Sequence, residues 1–115
     1  MLFLYQSERF DEARKELMLP FPDDESKALA RALWNCRLAL DELPDRRLLA
    51  NEPKVLRWIQ TVEEAMDTRG REDSGNEGAL YVKARNLSFD EQEAFSTAVR
   101  ELADWFGREA VSSSL

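Results

Sequence analysis

The side chains in this sequence that could do chemistry are its carboxylates. Aspartate and glutamate number 23, lysine and arginine 16, and histidine is absent. Without imidazole there is no Ser-His or Cys-His nucleophile, no histidine metal ligand and no pH switch near neutrality. Glu63 and Asp67 are four residues apart and would share one face of a helix, whereas Glu63 and Glu64 diverge. A carboxylate-bridged metal pair in a helical bundle adds a Glu-x-x-His element from facing helices, and no residue here can supply it. A hydrolytic acid pair needs a cleft that raises the pKa of one member, which a small bundle with a filled core seldom offers. These acids therefore read as a solvated helix face.

The remaining candidates also fall short. Gly70, Gly75 and Gly78 follow no strand, precede no Lys-Ser/Thr pair and lie among acids, so they form no phosphate cradle. Asp73, Asn76 and Glu77 do not match a calcium-loop spacing. Cys36 is the only cysteine, which excludes an internal disulfide and a cysteine zinc site, and its place in an apolar stripe reads as a buried side chain. The expectation is a protein that is not an enzyme, with no catalytic residue, no metal and no cofactor. An enzyme working with carboxylates alone would need two acids sharing a dehydrated cleft.

The elements that would position these residues are helices. In the first, Phe3 to Met18, the residues Phe3, Phe10, Ala13 and Leu17 fall on one face, and Asp11 with Lys15 makes a supporting i,i+4 pair. Pro20 and Pro22 end it. A second helix starts at Asp23 or Asp24, carries the stripe Leu29, Leu33, Cys36, Leu40 and Leu43, and stops at Pro44. A third opens with Pro53 at its first position, capped by Asn51 or Glu52, with Val55, Ile59, Val62 and Met66 on its face. Residues Arg69 to Gly78 read as a flexible loop, and Ala79 to Ala84 as a short extended segment. Ser88 and Glu91 form a capping box for a final helix with the stripe Phe95, Val99, Leu102 and Phe106. Gly107 would terminate that helix, leaving residues 111–115 as a frayed tail. The predicted fold is all-α: one domain over residues 1–115, a compact antiparallel bundle of about four helices.

Length and composition agree. A chain of 115 residues with 43% apolar and 34% charged residues suits one globular core. No stretch approaches the ~18 apolar residues of a membrane span, and Leu2-Phe3-Leu4-Tyr5 is too short for a signal-peptide core. The expected compartment is the cytoplasm, with no membrane partner. The net charge of -7 is unevenly spread. Residues Glu63 to Glu77 hold six acids against two arginines, and Asn86 to Glu109 likewise. This argues against binding nucleic acid, which takes a dense basic patch. It suits a basic protein partner, for which Trp34, Trp58, Trp105 and Tyr81 are available aromatic anchors. A spare apolar stripe could instead serve a homodimer.

One resemblance gives these features a function. Leu38-Ala39-Leu40-Asp41-Glu42-Leu43-Pro44 is a leucine-rich helix running into a Leu-Pro break. Leu48 to Asn51 and then Val55-Leu56-Arg57-Trp58-Ile59 follow, then a polar glycine-containing loop. Tyr81 to Arg85 precedes the acid-capped Phe89-Asp90-Glu91-Gln92-Glu93. From Arg31 to Phe106 this layout resembles small helical immunity proteins that neutralise toxic effectors of type VI secretion systems, including NAD(P)-degrading effectors. The first 22 residues have no counterpart in it. The resemblance implies an antitoxin that binds a cognate toxin domain with a basic surface and occludes its active site. Trp58, Glu63, Asp67, Glu72, Asp73 and Tyr81 are the expected contact residues, because the acidic helix end, the loop and Tyr81 are contiguous in sequence. The alternative is a helical adaptor, a chaperone or an acidic inhibitor that mimics nucleic acid.

Overall fold

The computed structural model describes residues 3–18, 25–43, 46–66 and 83–113, and these are helical with no strand among them. Helix α1 spans Leu4–Met18, α2 Glu25–Asp41, α3 Pro53–Met66, α4 is a single turn at residues 83–86, and α5 spans Phe89–Ser113. A 3₁₀ turn, Arg46–Leu49, joins α2 to α3. The all-α bundle expected from the apolar spacing is what the chain forms.

Helix α1 is the centre of the arrangement. It packs on α2 along one side and on α5 along the other, while α3 lies on α5 and meets α2 more lightly. α1 and α2 run antiparallel. Gln6 near the start of α1 reaches Ala39 near the end of α2, and Glu16 near the end of α1 pairs with Arg31 at 2.8 Å. Arg9 adds a third tie, donating to Asn35 at 3.1 Å while its guanidinium lies 5.7 Å from the Tyr5 ring centre. The expected Asp11–Lys15 pair is present at 3.3 Å. Exposed pairs of this kind contribute at most about 1 kcal/mol each.

The core comes from the apolar stripes. Val55, Ile59, Val62 and Met66 of α3 are buried, as are Phe95, Val99, Leu102 and Phe106 of α5. On α2, Leu29, Leu33 and Cys36 are buried, while Leu40 is only half-buried and Ala39 takes the inner place; Leu43, just past the helix, is also half-buried. Burying each large side chain contributes about 1.5–3 kcal/mol. Four aromatic rings join α1 to α5. Phe10 stacks on Phe106 at 5.3 Å, Phe3 meets Phe106 edge-on at 5.2 Å and Trp105 at 5.9 Å, and Trp105 is edge-on to Phe106 at 4.9 Å. Phe3 has φ 67°, the left-handed region that costs an L-residue about 1–2 kcal/mol. Its ring is buried in this cluster, which offsets the strain, and its carbonyl accepts the first helical hydrogen bond, from Ser7 N–H at 2.9 Å.

Two local expectations need correction. Gly107 does not end the last helix: α5 continues to Ser113, so residues 111–113 are helix rather than tail. Ala110 repeats the buried stripe one turn past Phe106 and carries the helix through the glycine. Lys83 and Ala84 are helical, because Ala84 is buried and its carbonyl accepts from Leu87 N–H at 3.4 Å. Residues 79–82 of that expected extended segment lie outside the described residues, as does the loop 69–78. In the connection after α2, the 3₁₀ turn carries Leu49 fully into the core.

Candidate binding surface

The start of α5 is fixed by reciprocal capping. Ser88 N–H donates to Glu91 Oε1 at 3.0 Å, and Glu91 N–H donates to Ser88 Oγ at 3.1 Å. The Ser88 backbone N–H, then its hydroxyl, stabilise the Glu91 carboxylate and hold its pKa below the ordinary glutamate value; Lys83 adds a smaller pull. Gln92 donates its side-chain amide to Leu87 O at 3.2 Å, and Leu87 is buried. These bonds set the rotation of α5 about its axis. With 3.6 residues per turn, the stripe Phe95–Phe106 then faces α1 and α3, and Phe89, Asp90, Glu93, Ala94, Thr97, Arg100, Glu101, Asp104 and Arg108 face outward. The outward face of this 25-residue helix is about 37 Å long and presents four carboxylates against two guanidiniums.

Two depressions border it. The larger, about 680 Å³, runs between α1 and α5 and is lined by Ser7, Glu8, Asp11, Arg14, Asp104 and Arg108 among others. Arg14 pairs there with Asp11 and lies 3.9 Å from Asp104, so opposite charges largely cancel along its walls. The smaller, about 370 Å³, lies at the start of α5 between Phe89 and Arg100. Phe89 is 71% exposed.

Of the six expected contact residues, two are described. Trp58 is half-buried against the core, and Glu63 is half-buried. Five residues separate them on α3, about 140° of rotation, so they flank the buried stripe on opposite sides. The structure does not bring them onto one face. Asp67, Glu72, Asp73 and Tyr81 lie outside the described residues. Trp34 and Trp105 are likewise half-buried against the core. Phe89 went unnoticed as a contact candidate, although its phase was readable: it lies six residues, about 240°, from Phe95 and so falls off the apolar stripe.

Cys36 is fully buried, and burial pushes its thiol far above the ordinary cysteine range. Among the described residues no three metal-ligating side chains cluster, and no helix is long and apolar enough to cross a membrane. The chain matches no family model, no curated protein and no solved structure.

Proposed function

We propose that this protein is an immunity protein, an antitoxin that binds the catalytic domain of a secreted bacterial toxin and blocks its substrate site. The observation that carries this reading is the outward face of α5, a rigid, capped helix with Asp90, Glu93, Glu101 and Asp104 exposed along it. A toxin that acts on an anionic substrate such as a dinucleotide needs a basic cleft, and a carboxylate-bearing helix complements it. Such complementarity speeds association and selects the partner more than it adds affinity. The likeness of Arg31 to Phe106 to type VI immunity proteins supports the same reading. The central position of α1 adds a requirement: the first helix, which that likeness leaves out, supports α5 from behind.

Nucleic-acid mimicry is the weaker alternative. A phosphate mimic needs an unbroken run of negative charge, and Arg100 and Arg108 interrupt the α5 face. Co-expression with a toxin domain encoded beside the gene tests the proposal. Rescue of growth and co-purification of a complex that survives about 1 M salt, where the screening length is near 3 Å, are expected. A toxin that neither co-purifies nor is neutralised refutes the antitoxin reading. A complex that dissociates steeply with salt favours the mimic.

A further inference from the structure

We infer that Phe89 and Glu93 form a docking point for an arginine side chain on a basic protein partner, and that the start of α5 is the centre of the interface. This rests on the reading of the protein as a partner-binding antitoxin and names the point of contact. Phe89 and Glu93 are one turn apart on the outward face, so their side chains are neighbours, about 5–6 Å apart at Cβ. Phe89 is the first residue of α5 and the capping box holds it there, so its exposure is not the result of fraying. Register keeps it out of the core. A ring left 71% exposed on an ordered helix contributes little to folding and is available for contact.

The groove beside this pair is polar, with Gln92, Ser96 and Thr97 between Phe89 and Arg100. An arginine matches the Phe89–Glu93 end of it, away from Arg100. Its aliphatic stem covers the Phe89 edge, its guanidinium lies on the ring face, and its planar fork reaches the Glu93 carboxylate. The positive end of the helix dipole, about half a charge, and Arg100 at the far end of the groove would oppose a cation here. Asp90 and Glu93 are both exposed, and their two negative charges exceed the half charge of the dipole and the one charge of Arg100, which lies nearly two turns beyond Glu93; Glu91 is engaged in the cap. Charge complementarity therefore selects a basic partner over an acidic one, and the ring face favours arginine over lysine.

The test uses the full chain, with the purified toxin domain encoded beside the gene as probe, by calorimetry and surface kinetics. Phe89→Ala raises the Kd about tenfold or more, mainly through faster dissociation, and keeps the wild-type melting temperature. Phe89→Leu keeps apolar bulk but loses the ring face, and is expected to fall with Phe89→Ala. Glu93→Gln weakens binding about tenfold at low salt and less at high salt. Glu64→Gln, the same charge change on the outer side of α3, leaves the Kd within about twofold. A wild-type complex that ignores Phe89→Ala and Glu93→Gln overturns this docking point and leaves the antitoxin reading standing. Absence of any wild-type complex overturns both. A wild-type dimer in light scattering that Phe89→Ala turns into a monomer identifies a second copy as the occupant and also overturns the proposal.

Discussion

Replacing Gln6 by methionine isolates one hydrogen bond in the core. Gln6 is 3% exposed on the buried face of α1, and its Nε2 donates to Ala39 O at 3.2 Å. That carbonyl lies in the last turn of α2, where helical carbonyls run out of partners. Glu42 N–H goes to Leu38 O and Leu43 N–H to Leu40 O, so the glutamine supplies a donor that the fading helix lacks. Methionine keeps the length and volume and removes the donor. A buried carbonyl stripped of its partner costs about 1–3 kcal/mol, and the better burial of a thioether returns part of it. The net expectation is a loss of about 1–2 kcal/mol. Unfolding entropy of about 2.1 cal/mol/K per residue gives roughly 0.24 kcal/mol/K for this chain, so the melting temperature should fall by about 4–8 °C. Calorimetry measures that fall, and hydrogen exchange locates it, with faster exchange confined to the end of α2. A Gln6→Met protein that melts at or above the wild-type temperature, with α2 equally protected, would refute the inter-helix cap.

Three further outcomes are expected. Gly107→Ala should raise the melting temperature by about 2–4 °C: the glycine is inside α5, and the added Cβ meets only Ser7 Oγ, at an ordinary 3.8 Å. A drop in that temperature would mean that the approach of α1 demands glycine. The lowered Glu91 pKa contributes stability above the ordinary glutamate range, lost as pH falls through its folded value. In acid titrations the advantage of wild type over Glu91→Gln should therefore shrink below that range, and an advantage constant with pH would contradict the linkage. Cys36 should be inert to a thiol reagent in the native protein and react only as fast as the chain opens, so labelling within seconds under native conditions would contradict its burial.

Periodicity made much of this fold legible. The α3 stripe, the α5 stripe, Pro53 at a helix start and the Ser88–Glu91 box each rest on a short-range rule, and each holds. What escaped depends on neighbours distant in sequence. Gly107 has the residue type of a helix stop, and only the packing of Ala110 overrides it. Gln6 occupies the slot between Phe3 and Phe10, but its polarity hid it until Ala39 supplied an acceptor. Leu49 is carried inward by a turn too short to have a period. For the candidate site, charge counting located the acidity of the last helix but not its exposed ring. Trp58 and Glu63 flank the α3 stripe on opposite sides, a separation that their spacing of five already encodes.

The ring contacts of Phe3 with Trp105 and Phe106 also fix the order in which this molecule can mature. They join segments about a hundred residues apart, a loop whose closure costs about 4 kcal/mol of chain entropy before any constant term. Helix α1 is made before α5 and waits for it. Until α5 leaves the ribosome, α1 has α2 alone to lean on, with Phe3, Phe10 and one flank of the core open to water. The α1–α5 packing therefore forms only after α5 has been made, and the surface that α5 offers a partner becomes rigid only when Phe3 has met Trp105 and Phe106.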